Sequence, residues 1–329
     1  MTTNGQKIAL ITGITGMDGS LLAEFLLKKN YMVIGMRRRT STFNTSRLEH
    51  LYANPNFIME WGNVTDNHSI IKILTKYKPD EIYNLAAQSH VRVSFDVPDE
   101  TFEVVTMGTL NMLNAMKEIC PKAKLYQASS SEMYGVAIMP ETGYTEESKM
   151  LPASPYAIAK LAAHNLVRNY RESYNLHASC GILFNHEQPG LRGETFVTRK
   201  IAIAAAKIKT GTQQKLYLGN LDSKRDWGLA SEYVEGMWLM LQQPNPDDYV
   251  LATGETHTVN DFLQEVFKHA NLDTENHVVI EKRLFRPEEV PILLGDYSKA
   301  KKILGWEPKT KFKALAKDMY QYEIDNIVR

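Results

Sequence analysis

A tyrosine and a lysine four positions apart have the residue types and the spacing of a proton-transfer pair. Tyr156 and Lys160 form a YxxxK pair, and Ser154-Pro155 before them supplies a helix N-cap and a first-turn proline. An i,i+4 spacing places both side chains on one helix face. A tyrosine with an ordinary pKa of about 10 is a poor base at neutral pH, and a nearby ammonium favours the phenolate. The pair therefore predicts a tyrosine that exchanges protons, with Lys160 lowering its pKa.

A serine-rich stretch with one carboxylate follows the predicted strand Lys124–Ala128, which directly precedes this helix. Ser130 offers a hydroxyl that can hydrogen-bond a reacting alcohol. Glu132 offers a carboxylate that can remove a proton from carbon or protonate a departing hydroxyl. Simple exchange between an alcohol and a ketone needs no such carboxylate. The stretch therefore predicts a catalytic hydroxyl at Ser130 and a catalytic acid–base carboxylate at Glu132. The alternative is a serine-rich turn with a surface glutamate.

Three glycines follow the first predicted strand, Lys7–Thr12, and open the helix Ser20–Lys29. In this GxxGxxG spacing, Gly13 permits a tight turn, Gly16 lets the backbone approach a pyrophosphate, and Gly19 allows helix and strand to pack closely. The first amides of the helix then face the phosphates. The motif predicts dinucleotide binding, and an ordinary turn is the alternative.

Three arginines, Arg37, Arg38 and Arg39, end the second predicted strand, Met32–Met36. A site that prefers NAD usually has Asp or Glu here, whereas arginine accommodates a 2′-phosphate. The guanidinium group matches phosphate with two parallel hydrogen bonds. The run predicts NADP as the cofactor, and a solvated basic edge is the alternative.

Strands and helices alternate through the first half of the chain, which predicts an α/β fold with a Rossmann-type, doubly wound parallel sheet. Residues 1–184 form the predicted NADP-binding domain. Residues 185–329 form a smaller, mainly helical substrate lobe, with a segment near 221–255 returning to the main sheet. The further predicted strands are Phe57–Glu60, Glu81–Leu85, Ala178–Leu183 and Tyr249–Ala252, and the further helices are Ile70–Lys76, Phe102–Ile119, Tyr156–Tyr174, Thr198–Lys209, Ser231–Gln242, Val259–His269 and Phe312–Ile327.

The composition excludes some partners. Lys plus Arg and Asp plus Glu number 38 each among 329 residues, so no net field attracts nucleic acid or an anionic membrane. The two cysteines, Cys120 and Cys180, fit neither a metal-ligand pattern nor a disulfide framework, and we expect no metal. The start of the chain lacks an apolar signal core, and no apolar run approaches the ~20 residues of a membrane span. We expect a soluble, cytoplasmic protein.

Over essentially its whole length the sequence resembles the GDP-mannose 4,6-dehydratase family of extended short-chain dehydrogenases. The stretches that carry the resemblance are LITGITGMDGS, FNTSRLEHLY, EIYNLAAQSHV, YQASSSEMYG, SPYAIAK, GILFNHE, RGETFVTRKI, LGNLDSKRDWG, EYVEGMWLMLQ, VLATGE and FRPEEV.

The resemblance implies a closed redox cycle. Tyr156 would take the proton of the sugar 4-hydroxyl as hydride leaves carbon 4 for NADP. The 4-ketone acidifies carbon 5, whose proton Glu132 would remove. Water would leave from carbon 6 with help from Glu132 and Ser130, and the hydride would return to carbon 6. NADP is then recycled, and the product of GDP-mannose is GDP-4-keto-6-deoxymannose.

The resemblance also implies a set of ligand contacts. Besides the glycines, the arginines, Tyr156 and Lys160, the implied cofactor residues are Thr15, Met17, Asp18, Asn63, Val64, Leu85, Ala86, Ala87, Ser89, Leu183, Asn185, His186 and Arg192. Besides Ser130 and Glu132, the implied residues for the GDP-sugar are Ser89, Asn185, Glu187, Arg192, Val197, Lys200, Gly219, Arg225, Arg286 and Glu289. Two of these arginines have a structural alternative to ligand binding. Arg225 could form a plain ion pair with Asp226, and Arg286-Pro287 could anchor a loop.

Relatives form homodimers or homotetramers, so the resemblance implies one of these states. The dimer contact would use the helix of the Tyr–Lys pair. The segment Arg37–Arg47 would be an arm that reaches another subunit or, alternatively, a cofactor flap.

The sequence departs from the family pattern at three places. Ser130 replaces a usual Thr, and Asn63 replaces an Asp near the adenine. The NHEQPGLRG stretch differs at Gln188 and is one residue longer around Gly190. This loop would lie beside the hexose, which leaves a GDP-manno-heptose 4,6-dehydratase as an alternative function. The pairing of Ser130 with Glu132 argues against an epimerase or a reductase, because neither reaction needs it. The alternative from another functional class is a catalytically silent regulator that binds NADP.

Overall fold

Thirteen strands are present in the computed structural model, which describes residues 5–285 and 287–327. They are β1 (Ile8–Thr12), β2 (Met32–Arg37), β3 (Phe57–Trp61), β4 (Glu81–Asn84), β5 (Lys124–Ser130), β6 (His177–Leu183), β7 (Asn185–Glu187), β8 (Leu216–Leu218), β9 (Lys224–Arg225), β10 (Trp227–Leu229), β11 (Asp248–Leu251), β12 (His257–Thr258) and β13 (Val278–Ile280). Seven of them form one parallel sheet in the order β11-β6-β5-β4-β1-β2-β3.

The helices lie on both faces of this sheet and beyond its carboxyl edge. They are α1 (Met17–Lys28), α2 (Asn67–Tyr77), α3 (Pro98–Phe102), α4 (Gly108–Ile119), α5 (Pro155–Tyr174), α6 (Val197–Lys209), α7 (Ala230–Gln242), α8 (Val259–Ala270), α9 (Thr274–His277), α10 (Ser298–Leu304) and α11 (Phe312–Ile327). The predicted doubly wound α/β fold is confirmed. Within the described residues, no helix is both long enough and apolar enough to cross a bilayer.

The strand order reverses between β1 and β4, which opens a crevice outside their carboxyl ends. Doubly wound sheets bind ligands at such a point. β5 is two residues longer than predicted, because Ser129 and Ser130 still pair with Ile182 and Leu183 of β6. Ser130 is therefore the last residue of the strand, and the short 3₁₀ turn Ser131–Met133 follows it.

The predicted helix Phe102–Ile119 is interrupted. A π-helical turn, Glu103–Met107, separates α3 from α4. Gly108 begins α4 where a Cβ atom would lie 2.7 Å from Cγ2 of Val64. Close packing of this helix against the loop after β3 therefore requires a glycine.

Two apolar layers enclose the sheet. On one face, α1, α7 and α10 bury a cluster that includes Leu22, Leu26, Met237, Met240 and Trp306. On the other, α2, α4 and α5 bury a cluster that includes Ile70, Leu74, Leu113, Met116 and Val167.

A separate core holds the remaining helices together. Here α6, α8 and α11 pack around Ile201, Phe262, Phe267, Phe312 and Met319. Three short ladders, β7 with β10, β9 with β12 and β8 with β13, lie beside this core. The chain enters it at β7, directly after β6 and Phe184, so a cleft lies at the carboxyl edge of the sheet.

Candidate active site

One cleft of about 1270 Å³ lies between the carboxyl edge of the sheet and the second group of helices. Among the residues that the structure describes, every predicted site residue lines this cleft except Arg39. Arg286 lies outside the described residues.

The glycine turn brings the backbone to the cleft. Gly13 has a φ of +67°, and a Cβ atom there would lie 2.9 Å from the Ala86 nitrogen. A Cβ atom on Gly19 would lie 2.4 Å from the Gly13 oxygen, so helix α1 approaches the turn after β1 too closely for any other residue. Gly16 is the N-cap of α1 and offers no side chain to its free amides. The turn therefore leaves these amides for an anion.

Four predicted catalytic residues meet at the end of β5 and the start of α5. Ser130, Glu132, Tyr156 and Lys160 are each less than 10% exposed. The backbone amide of Glu132 donates to Oγ of Ser130 at 3.2 Å, and the Ser130 hydroxyl is hydrogen-bonded to the Tyr156 phenol. Glu132 lies close enough to Tyr156 to raise its pKa electrostatically. A hydroxyl, a carboxylate and a phenol thus share one small part of the cleft.

The electrostatics of the Tyr–Lys pair differ from the sequence expectation. Burial raises the pKa of Tyr156 to about 12, although the hydrogen bond from Ser130 opposes this. Burial also lowers the pKa of Lys160 to about 8, despite the opposing charge of Asp18. Nζ of Lys160 donates to the carbonyl of Ala128 at 2.7 Å and lies 5.8 Å from the centre of the Tyr156 ring. In the chain alone, burial outweighs any effect of the Lys160 ammonium on the Tyr156 pKa. The lowering of that pKa by Lys160 stays a prediction.

An ion pair connects the glycine turn to the strand that follows β6. Nε2 of His186 lies 3.1 Å from Oδ2 of Asp18, and Nδ1 of His186 lies 2.7 Å from the Phe184 carbonyl. Burial lowers the pKa of His186, but the Asp18 carboxylate raises it more, so the net shift is upward. Burial likewise raises the pKa of Asp18, and the His186 charge reverses that shift. The pair ties helix α1 to β7.

The far end of the cleft has a buried carboxylate and two arginines. Nε of Arg192 lies 3.1 Å from Oε2 of Glu187, and the Arg192 guanidinium lies 3.7 Å from the Phe196 ring centre. Burial raises the pKa of Glu187 despite that guanidinium. Arg225 donates to the carbonyls of Lys224 and Val290 at 2.9 Å each. Side chains therefore hold the Arg192 guanidinium in place, whereas the Arg225 guanidinium also holds two backbone carbonyls in place.

Other predicted contacts in the cleft have backbone partners. Nζ of Lys200 donates to the Tyr217 carbonyl at 2.6 Å. A Cβ atom on Gly219 would lie 2.8 Å from the Leu284 oxygen. Oδ1 of Asn63 accepts from the Thr65 amide at 3.3 Å, so this side chain closes its own turn.

The three arginines after β2 separate to two sides. Arg38 lines the main cleft. Arg39 lines a second pocket of about 240 Å³, together with Trp61 and residues 40–45. Arg37 lines both, and its guanidinium lies 4.0 Å from the Trp61 ring centre. Alternate residues of an extended chain point to opposite sides, which explains why Arg38 differs from its neighbours.

Sequence comparison assigns the chain to a family. A model described as GDP-mannose 4,6 dehydratase matches residues 10–319. GDP-mannose 4,6 dehydratase 1 of Arabidopsis thaliana is 52% identical over 330 residues, which cover 97% of this chain and 90% of that protein. The GDP-mannose 4,6 dehydratase of Homo sapiens is 47% identical over 345 residues, which cover 97% of this chain and 92% of that protein. The chain belongs to the GDP-mannose 4,6-dehydratase family.

Solved structures share the fold with this family member. A dTDP-glucose 4,6-dehydratase from Streptomyces venezuelae, solved with NAD and TYD bound, has a TM-score of 0.85 at 21% identity, covering 97% of each chain. RMD from Pseudomonas aeruginosa, complexed with NADPH, has a TM-score of 0.80 at 21% identity, covering 98% of this chain and 100% of that one. At these identities the likeness concerns the fold alone.

The loop in which this family member departs from the usual pattern, residues 188–193, is held from three sides. The side-chain oxygen of Gln188 accepts from the Ser231 amide at 3.2 Å. Gly190 has a φ of +74°, and a Cβ atom there would lie 2.2 Å from Cζ of Tyr322. Arg47 donates to the Leu191 carbonyl at 3.0 Å. The loop therefore has a defined position beside the cleft.

Sequence reasoning missed several residues that organise this site. Arg47 lines the cleft and also donates to the Thr15 carbonyl at 3.3 Å, which connects the glycine turn to the 188–193 loop. Arg199 donates to the Arg192 carbonyl and pairs with Glu323 at 2.9 Å. Arg47 stands in one of the stretches that carry the family resemblance, which was the available signal. Nothing in the local sequence around Arg199 indicates its contact with a residue near the end of the chain.

Proposed function

We propose that this protein is a GDP-mannose 4,6-dehydratase that uses NADP. The observation that carries the proposal is the position of Glu132. Its carboxylate shares one strand end with Ser130 and lies beside Tyr156, in a chain of the GDP-mannose 4,6-dehydratase family. A dehydrogenation alone would need the hydroxyl and the phenol, whereas loss of water also needs the carboxylate.

The residues fit a nicotinamide dinucleotide. The crowded positions of Gly13 and Gly19 and the free amides at the start of α1 make a backbone cradle for a pyrophosphate. Relatives of the same fold were solved with NAD or NADPH. Arg37 and Arg38 line the cleft, and Nε of Arg37 is buried with no hydrogen-bond partner within the described chain, which supports a 2′-phosphate and hence NADP.

A nicotinamide held by the glycine turn would supply reversible hydride transfer and, in its oxidised form, a positive charge. The protein supplies the proton transfers. Tyr156 exchanges a proton with the 4-hydroxyl oxygen, with Ser130 fixing the positions of both oxygens. Burial keeps the pKa of Tyr156 high in the chain alone, and a positive charge supplied by the bound cofactor would favour the phenolate.

Glu132 carries out the elimination. Oxidation at carbon 4 makes the hydrogen on carbon 5 acidic, and Glu132 accepts that proton. The bond between carbon 6 and its oxygen then breaks, and the proton on Glu132 leaves with the hydroxyl as water. Once hydride has returned to carbon 6, carbon 5 regains a proton, and the proton that Tyr156 took from the 4-hydroxyl balances this gain. The sugar therefore loses one water, and the overall oxidation state is unchanged.

Arg192 is the side chain best suited to the nucleotide end. It lies in the second lobe, lines the cleft and pairs with Glu187, so a diphosphate can take over its guanidinium fork. The substrate class is therefore a GDP-sugar. The 188–193 loop leaves the manno-heptose derivative as the second candidate, since the sequence departs from the family pattern at Gln188 and around Gly190, where the hexose is expected to lie.

The test is incubation with a catalytic amount of NADP and either GDP-mannose or GDP-manno-heptose, followed by mass spectrometry. We expect GDP-mannose to lose one water without net formation of NADPH. Faster loss of water from GDP-manno-heptose would identify that compound, and not GDP-mannose, as the substrate. No loss of water from either compound would overturn the proposed function.

We further propose a homodimer or homotetramer. Ile158 on α5 and Met107 before α4 are each nearly half exposed, which supports a dimer contact through this face. Phe43 and Trp61, both more than half exposed, support a second contact around the Arg37–Arg47 segment. Light scattering of the wild type, of Ile158→Lys and of Phe43→Lys tests this: the first variant should disrupt the dimer, and the second only a tetramer.

A further inference from the structure

A buried row of polar side chains lies behind the catalytic end of β5. Oγ of Ser129 is 3.0 Å from Nδ1 of His164, and Nε2 of His164 is 3.7 Å from Oδ2 of Asp248. All three residues are less than 8% exposed, and Ser129 also lines the cleft. His164 follows Lys160 by one helical turn and so lies on the same side of α5. The row leads from the cleft wall to the edge strand β11.

Asp248 is fixed by its own partners. Arg171 donates to both carboxylate oxygens, at 2.8 and 3.0 Å, and the Cys180 amide donates at 3.3 Å. Arg168 lies 3.9 Å away. Candidate ligand atoms of His164, Cys180 and Asp248 lie within 4.8 Å of one another. The two arginines repel a cation there, so the cluster is a hydrogen-bond network and not a metal site.

The partners determine where the imidazole carries its proton. Burial lowers the pKa of His164 by more than Asp248 raises it, so the ring is neutral at pH 7. Burial raises the pKa of Asp248, but the Arg171 hydrogen bonds and the surrounding charges together outweigh burial and lower it, so the carboxylate is ionised. An ionised carboxylate only accepts. The carboxylate 3.7 Å from Nε2 electrostatically favours the ring proton on that nitrogen. Nδ1, 3.0 Å from Oγ of Ser129, then accepts from the Ser129 hydroxyl.

We propose that His164 and Asp248 are positioning residues that hold the Ser129 hydroxyl as a hydrogen-bond acceptor toward the cleft, where it binds a donor group of the cofactor or of the substrate. Once Ser129 donates to His164, its oxygen can only accept from a ligand. The available donors are the carboxamide N–H of a nicotinamide and a hydroxyl of the sugar. This inference rests on the proposed function.

The first test compares Ser129→Ala, His164→Phe and the double variant. We expect each single variant to weaken ligand binding about tenfold, the usual cost of one buried hydrogen bond, and the double variant to be no worse than either. His164→Asn, which keeps an amide near the position of Nδ1, should recover part of the loss. Additive losses, or no loss at all, would overturn the proposal.

The matched control is Tyr170→Phe. It removes a different, partly buried hydrogen bond of α5, from the Tyr170 hydroxyl to Asn114 at 2.7 Å, which is not part of the row from Ser129 to Asp248. We expect the control to lower the melting temperature and to leave ligand affinity unchanged. If it weakens binding as much as His164→Phe does, the effect of His164 is only structural and the proposal fails.

Two binding measurements separate the possible donors. Calorimetry with NADP alone reports on the carboxamide, and the KM for GDP-mannose reports on the sugar hydroxyl. Weaker binding of either ligand by Ser129→Ala supports the proposal and names the donor, and unchanged binding of both overturns it.

A spectroscopic measurement is independent of substrate turnover. In ¹⁵N-labelled protein we expect His164 to be neutral with its proton on Nε2 at pH 7, and this preference to be lost in Asp248→Asn. The opposite tautomer or a charged ring would overturn the proposal even in an active enzyme. Conversely, failure to dehydrate any GDP-sugar would leave the tautomer and the NADP titration intact and would reject only the proposed function.

Discussion

The catalytic end of β5 and the 188–193 loop face the same cleft, but different interactions hold them. Ser130 is the last residue of a strand in the centre of the sheet, and Glu132 follows in one short turn. The loop has no strand of its own and depends on contacts with Ser231, Tyr322 and Arg47. A site built on a strand end tolerates change in the surrounding chain, whereas a site built on a loop changes with its distant neighbours. We expect chemistry to be encoded at the first and substrate choice at the second.

The largest effect should come from Glu132→Gln. The amide cannot take a proton from carbon 5, so loss of water should fall by about 10³-fold, the usual scale for a general acid–base residue. Oxidation at carbon 4 should partly persist, because Tyr156 and Ser130 remain. Single-turnover measurement of reduced cofactor alongside product mass separates the two steps.

Glu147→Gln, at an exposed position, is the control. A variant that makes 6-deoxy product at the wild-type rate would show that Glu132 is not the base.

The cofactor end of the cleft should respond less strongly. Arg37→Ala and Arg38→Ala should each weaken NADP binding by about 10- to 100-fold, because a charge-assisted hydrogen bond to phosphate is lost. NAD binding should change little. Arg39→Ala is the matched control, since Arg39 lines the second pocket. Calorimetry with both cofactors measures this, and equal losses for NAD and NADP would contradict a role in binding the 2′-phosphate.

The loop should be sensitive to a single methyl group. Gly190 and Gly211 both have φ above +70°, so alanine at either costs about 1 kcal/mol or more in backbone strain. Only Gly190 also meets a neighbour, the Tyr322 ring. Gly190→Ala should therefore lose about 1–2 kcal/mol more unfolding free energy than Gly211→Ala and raise the KM for the GDP-sugar. Chemical unfolding measures the first effect. Adding Tyr322→Ala should restore part of it, and equal losses in the two glycine variants would show that the loop is not held by this contact.

The smallest effect should appear at the ion pair of His186 and Asp18, which joins helix α1 to β7 just before the loop. Because the folded pKa of His186 is raised, the pair stabilises the fold fully below pH ~6.5 and loses that contribution as pH rises through the folded value. The unfolding free energy of the wild type relative to His186→Gln should therefore decline from pH 6 to pH 9, by on the order of 1 kcal/mol or less. Urea unfolding across this range measures it. A difference that stays constant with pH would mean that the imidazole is not charged in the folded protein.

Features of this fold that follow from local sequence could be predicted, whereas those that depend on distant contacts could not. The sequence predicted the parallel sheet and the glycine turn, since both follow from local spacing along the chain. It ended the fifth strand at Ala128, whereas pairing with β6 extends that strand to Ser130. It predicted neither the π-helical interruption before Gly108 nor the close approach of Gly108 to the distant Val64.

The amino-acid sequence by itself determined which chemistry this protein carries: a phenol, a hydroxyl and a carboxylate at one sheet edge, beside a turn for phosphate. Only the tertiary structure decided how those groups behave. Burial keeps the pKa of Tyr156 high, and the Ala128 carbonyl holds Lys160 away from it. Contacts between segments far apart in the chain fix the 188–193 loop and the row from Ser129 to Asp248. Spacing reveals which residues share a face, but burial and distant contacts set their protonation and position, and these arise only when the chain folds.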